Sequence, residues 1–127
     1  MKIIYTDGFT IGKNPSQSGG GFILVDENGL EIDRQTFYKE KYTNNEGELM
    51  GVLETSKIIE NEGEIYTDSK NTCYWVNNCK CKARPDLKPF AQKAKINILE
   101  KKLKLIWIPR EENLAGQLSE EGNEFRF

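Results

Sequence analysis

No histidine occurs anywhere in the 127 residues. Its absence removes Ser-His-Asp and Cys-His nucleophile pairs, imidazole general bases, and zinc or haem centres built on imidazole. Cysteine is scarce: Cys73, Cys79 and Cys81 are the only three. An odd number argues against a disulfide framework, and the single residue between Cys79 and Cys81 is too few for a zinc knuckle. No apolar run approaches the ~18–20 residues of a membrane-spanning helix. No signal peptide is read at the start, where Met1-Lys2-Ile3-Ile4-Tyr5-Thr6-Asp7 already has the character of a strand running into a turn. A reducing cytoplasm, with no membrane partner, is the expected setting. Chemistry in this chain has to come from carboxylates, hydroxyls, amides, lysines and bound hard metal ions.

What is present fits one domain over residues 1–127, since compact domains usually hold ~100–150 residues. With 37% hydrophobic and 30% charged residues, the composition is that of an ordinary soluble fold. The net charge of −2 conceals a division. Between Cys79 and Arg110 lie ten basic residues (Lys80, Lys82, Arg84, Lys88, Lys93, Lys95, Lys101, Lys102, Lys104, Arg110) against Asp86 and Glu100, a local charge of +8. The rest of the chain, with eight basic and eighteen acidic residues, carries −10. Such a split predicts one face for a polyanion and another that gathers carboxylates.

The hydrophobic pattern predicts three strands first. Ile3-Ile4-Tyr5 opens one that ends near Asp7. Gly19-Gly20-Gly21 begins a second through Asp26, its glycines marking close backbone approach or a bulge. After the Asn28-Gly29 turn, Leu30 to Tyr38 form a third. The period then changes. Thr43-Asn44-Asn45 is a helix-start signal, followed by Leu49, Val52, Leu53, Ser56 and Ile59 at helical spacing. Ile65 to Asp68 is a strand, and Ser69 caps a second helix with Thr72, Trp75 and Val76 on its buried side. Leu87, Phe90, Ala91, Ala94 and Ile98 mark a third helix after Pro85. Leu103 to Ile108 is a strand stopped by Pro109, and a last helix is expected from about Glu112-Asn113. The order β-β-β-α-β-α-α-β-α predicts an α/β fold with a mixed sheet, strands 1–3 antiparallel and strands 1, 4 and 5 parallel.

Asp7 and Asp68 fall at strand ends and Glu48 in the opening turn of the first helix. If strands 1 and 4 are parallel neighbours, these acids meet at the carboxyl rim, where open α/β sheets bind ligands. Three converging carboxylates repel one another unless a cation sits among them, and hard Mg²⁺ or Mn²⁺ suits an all-oxygen set. Simple alternatives exist for each: Asn45-x-x-Glu48 as a capping box, Asp68 as a helix-dipole partner, Asp7-Gly8 as a turn.

Four segments then become recognisable in order: Tyr5-Thr6-Asp7-Gly8, Thr43-Asn44-Asn45-x-x-Glu48-Leu49, Tyr66-Thr67-Asp68-Ser69 and Trp107-Ile108-Pro109-Arg110-Glu111-x-Asn113. Together they resemble type 1 ribonuclease H across nearly the whole chain. The resemblance implies a five-stranded mixed sheet flanked by helices. It further implies a divalent-metal-dependent endoribonuclease that hydrolyses the RNA strand of RNA–DNA hybrids through two Mg²⁺ or Mn²⁺ ions. On the same basis Asp7, Glu48 and Asp68 are metal ligands and catalytic residues, with Asp7 bridging both ions. Gly8, Thr43, Asn44, Asn45 and Lys70 match positions that contact the hybrid, Thr43 and Asn45 at a DNA-strand phosphate. A monomer needing no small-molecule cofactor is expected.

The sequence departs from the family in two places. The fourth carboxylate of the family is absent: Gln117 or Gly116 stands at that position, depending on whether the count starts from Asn113 or from Ala115. Gln117 is the candidate neutral metal ligand, with Glu112, Glu120 or Glu121 able to act through water. This substitution motivates the alternative of a catalytically weak or inactive ribonuclease H-fold module that binds hybrid or duplex nucleic acid. A junction resolvase or exonuclease of the same superfamily is a third reading, disfavoured by Thr43-Asn44-Asn45 beside Glu48. The second departure is length, because Asn77 to Leu87 is too short for the family's tryptophan-rich basic protrusion. The lysines and Arg84 in this stretch are expected to grip the hybrid electrostatically instead.

Overall fold

A computed structural model describes residues 2–11, 16–26, 28–60 and 62–116. Strands β1 (Lys2–Ile11), β2 (Ser16–Val25) and β3 (Glu31–Tyr42) form an antiparallel meander. Helix α1 (Asn44–Ile58) crosses to β4 (Gly63–Thr67), which lies parallel to β1. Helix α2 (Lys70–Asn78), a short 3-10 turn (Pro85–Leu87) and α3 (Lys88–Glu100) lead to β5 (Leu103–Trp107), parallel to β4. The sheet order is β3-β2-β1-β4-β5, the mixed arrangement that the element order predicts.

The three antiparallel strands run longer than the hydrophobic alternation suggests. β1 continues past Asp7 to Ile11, because β2 keeps offering ladder partners, Gly21 opposite Asp7 and Gln17 opposite Ile11. Asp7 is therefore an interior residue of β1. It marks instead the place where β1 leaves its parallel neighbour, since the β1–β4 register ends at Tyr5 opposite Tyr66. Asp7 and Asp68 each lie two residues beyond that last rung, which puts them at one rim. The final helix expected from Glu112-Asn113 begins later: a 3-10 turn covers Arg110–Glu112, a turn follows at Leu114-Ala115, and Gly116 is the first helical residue; residues 117–127 lie outside the described residues.

One core fills the space between the sheet and the helices. Ile4, Phe22, Leu24, Ile65, Leu103 and Leu105 from the strands pack with Leu49, Val52, Leu53, Val76, Ala91, Ala94 and Ile98 from the helices. α1 is buried on several sides at once, with Met50, Thr55 and Ser56 also inside. This follows from its place between the sheet and α3. Its C-terminal carbonyls, left without intrahelical donors, are met by Lys101, whose Nζ donates to Ser56 O (2.7 Å) and Lys57 O (2.8 Å). On the other face of the sheet Ile23 and Val25 pack with Ala115, Ile3 and Tyr5.

The start of α1 lies directly on β1. A Cβ on Gly8 would stand 2.3 Å from Glu48 N and 2.4 Å from Gly47 C, and one on Gly51 would stand 3.3 Å from Asp7 O. Backbone meets backbone here, and only glycine permits it at Gly8. Gly8→Ala should therefore lower stability by about 1–3 kcal/mol, since neither backbone can yield freely. A fall in the midpoint of urea denaturation is the expected reading; an unchanged midpoint would mean that the close approach is not required.

Candidate active site

The seat of the site is the α1 start. Thr43 is the N-cap: its Oγ1 accepts from Glu46 N at 3.2 Å and donates to Glu46 Oε1 at 3.2 Å. The capping pair is thus Thr43 with Glu46, not Asn45 with Glu48, and Glu48 is released from capping. Facing inward over Gly8, it meets the rim where Asp7 and Asp68 emerge. One carboxylate oxygen from each of Asp7, Glu48 and Asp68 lies within 4.8 Å of the other two, and theirs is the only such acidic or thiol cluster among the described residues. Glu112 is exposed and outside it.

Electrostatics at the site are strained. Burial pushes the Asp7 carboxyl up to about 6, aided by the charge of Asp68 and opposed by its hydrogen bond with Glu48, by Arg110 and by the Gly8 N–H. Glu48 is pushed well above the ordinary carboxylate range, first by burial and then by the neighbouring Asp7. Glu48 Oε2 is buried and has no hydrogen-bond partner. Three acids so close, two resisting ionisation and one with an orphaned oxygen, fit a hard divalent cation: its charge would reverse both shifts and occupy the free lone pair.

Asp68 is held differently. Asn113, itself buried, donates from Nδ2 to Asp68 Oδ2 (3.0 Å) and to Thr6 O (2.8 Å), while its Oδ1 accepts from Ala115 N (3.0 Å). One amide thereby ties the β4 acid, the β1 backbone and the segment after β5 together. Asn113 appears in the recognised motif, but its role as a positioning residue is not legible there because Thr6 and Asp68 are distant in sequence. The Trp107 indole N–H adds a bond to Asp68 O at 3.0 Å.

The remaining sequence-predicted residues are spread around this centre. Gly8 lies beneath Glu48, with its N–H toward both the Asp7 and Glu48 carboxyls. Thr43 and the exposed Asn45 sit at the N-terminal end of α1; the Asn44 side chain and all of Gln117 lie outside the described residues. Lys70 opens α2 after the Ser69 cap, its Nζ 5.0 Å from the centre of the Trp107 ring. Gly116 has no positive φ, and none of the described residues lies within 4 Å of a Cβ built on it. Arg84 is not a free phosphate-seeking cation: it pairs with Asp86 at 2.9 Å and reaches Glu46 at 3.0 Å, fastening the basic loop to the α1 start. The basic segment has other internal duties, since Lys95 donates to Asn77 O, whereas Lys80 and Lys82 are exposed.

With this geometry in hand, comparison places the chain. The RNase H family profile matches residues 1–123, and the chain belongs to that family. Among solved structures it is similar to LC11-RNase H1, isolated from compost by a metagenomic approach and seen in complex with an RNA/DNA hybrid. Identity there is 30%, with a TM-score of 0.77 and 95% of each chain covered. The fold is shared with RNase H1 of the halophilic archaeon Halobacterium salinarum (19% identity, TM-score 0.82, 97% of this chain and 96% of that one). It is shared too with the N-terminal RNase H domain of Rv2228c from Mycobacterium tuberculosis (21% identity, TM-score 0.81, 97% and 93%). No curated protein sequence matches the chain.

Raised carboxyl values set a pH signature. The folded state binds protons that the unfolded state has released, so the acid cluster costs stability as pH rises from about 4 through about 6 and beyond. In chelator, Asp7→Asn should be more stable than the parent by about 1–3 kcal/mol at pH 8. That gain should vanish near pH 4. Denaturation of both proteins across this range measures it, and equal stabilities at pH 8 would show the acids are not in conflict.

Proposed function

We propose that this chain is a divalent-metal-dependent endoribonuclease that hydrolyses the RNA strand of RNA–DNA hybrids. The observation that carries the reading is the meeting of Asp7, Glu48 and Asp68 with an unpartnered Glu48 oxygen, in a chain of the RNase H family. Asp7, hydrogen-bonded to Glu48 and close to Asp68, would be shared between two Mg²⁺ or Mn²⁺ ions, and Glu48 and Asp68 would complete one of them. Bound there, the ions supply an activated water and neutralise charge on the phosphodiester. Asn113 holds the Asp68 carboxylate in place, and burial at Gly8 keeps water away from Glu48. Selection of the RNA strand rests on its 2′-hydroxyl, with Gly8, Asn44, Asn45 and Lys70 as proposed contacts and Thr43 with Asn45 at a DNA phosphate. The chain is proposed to act as a single 1–127 unit, monomeric and cytoplasmic, in keeping with its three unpaired thiols.

A second reading has one specific observation behind it: neither Gly116 nor Gln117, the candidates for the fourth carboxylate position, is an acid, and a module that binds hybrid without cutting it efficiently would look the same. Labelled RNA–DNA hybrid, with DNA and RNA duplexes as controls, in Mg²⁺, Mn²⁺ or chelator, separates the two. Hybrid-specific, metal-dependent cleavage is expected, and Asp7→Asn should reduce it by about two orders of magnitude or more. Because the backbone at Gly116 accepts a side chain, Gly116→Asp should lower the Mg²⁺ needed for half-maximal rate by about tenfold if that is the missing ligand position. Binding without any cleavage in either metal would establish the module instead.

Hybrid affinity is further expected to fall linearly on a log–log plot against salt. Replacing Lys80 and Lys82 by alanine should flatten the slope by about one to two, one for each phosphate left unneutralised. An unchanged slope would make them solvated surface only.

A further inference from the structure

A cavity of about 380 Å³ opens between α2 and the end of β5. It is lined by Lys70, Cys73, Tyr74, Asn77, Asn78 and Trp107. Two aromatic side chains stand exposed here, Tyr74 at 52% and Trp107 at 39%, although rings of this size are ordinarily covered. The Lys70 ammonium lies over the Trp107 ring, so a cation marks one end of the groove. Asn77 Nδ2 donates to Leu105 O and Cys73 Sγ, and Asn78 Nδ2 donates to Tyr74 O. With both Asn77 N–H groups and one of Asn78's engaged, the asparagines offer a ligand their amide oxygens and one Asn78 N–H. The groove adjoins the segment that carries Asp68, because the Trp107 indole N–H donates to the Asp68 backbone O.

We infer that this groove binds an unpaired nucleotide of the nucleic-acid strand leaving the carboxylate site. The base stacks on Tyr74 and Trp107, its amino or imino N–H groups meet the asparagine oxygens, and its phosphate meets Lys70. Aromatic faces, acceptors and one cation are the complement of a nucleotide; a hydrophobic protein segment would leave the ammonium and the amide oxygens unanswered. The inference rests on the nucleic-acid reading above and adds to it a single-strand subsite.

Oligothymidylate, (dT)6, is the probe, and intrinsic tryptophan emission is the readout, since Trp75 is buried and Trp107 is not. Quenching on titration is expected, with affinity about five- to a hundredfold weaker in Tyr74→Ala and retained in Tyr74→Phe. Cleavage of blunt hybrid should be unchanged in Tyr74→Ala, while any preference for hybrids with a single-stranded RNA extension should disappear. Absence of quenching, or equal affinity in Tyr74→Ala, would overturn the subsite. Because quenching needs no cleavage, a protein that binds (dT)6 and cuts nothing would fail the hydrolase reading and leave this one standing.

Discussion

Everything at the rim depends on the contact between the β1 backbone and the first turn of α1. Gly8 lies close enough to Gly47 and Glu48 that no other side chain fits, and Gly51 continues the approach along Asp7. This contact buries the Glu48 carboxyl and brings it against Asp7. Were α1 held back by even one methyl group, Glu48 would regain water, and the burial and Asp7 charge that raise its carboxyl would both relax. The electrostatic strain of the site is thus stored by packing between main chains, where side-chain rearrangement cannot relieve it.

Two tethers surround this contact and keep it in register. Lys101 satisfies carbonyls in the last turn of α1, and Thr43 Oγ1 satisfies the Glu46 amide in its first, so the helix is fixed at both ends. Arg84 extends the N-terminal tether to the basic loop through Glu46. On the opposite side Asn113 joins β1, Asp68 and the chain after β5. Each acid therefore arrives on a different element, while the elements are coupled to one another by single polar side chains.

Much of the fold was legible because its signals are local. Apolar spacing at Leu49, Val52 and Leu53, or at Ala91, Ala94 and Ile98, reports a buried helix face directly. The resemblance located the three acids, and the shared Tyr5–Tyr66 rung explains why two of them meet. Strand lengths were not legible, because Gly19-Gly20-Gly21 has no side chains to alternate and pairing continues through it. Nor was the capping partner: Thr43 and Asn45 each precede a glutamate by three residues, and only the backbone turn decides between them. Asn113, Arg84 and Lys101 acquired their roles from residues 38 to 107 positions away, a distance over which periodicity carries no information.

Gly116 has a consequence at the level of the gene. Every glycine codon becomes an acidic codon by one base change at its second position, to aspartate or glutamate according to the third. The backbone there has no positive φ, and none of the described residues crowds a side chain at that point. Neither the genetic code nor the packing of the described residues therefore stands between this chain and an acid at that point. On the proposed reading of this position as the fourth-acid site, charge there is evolutionarily cheap to gain and to lose.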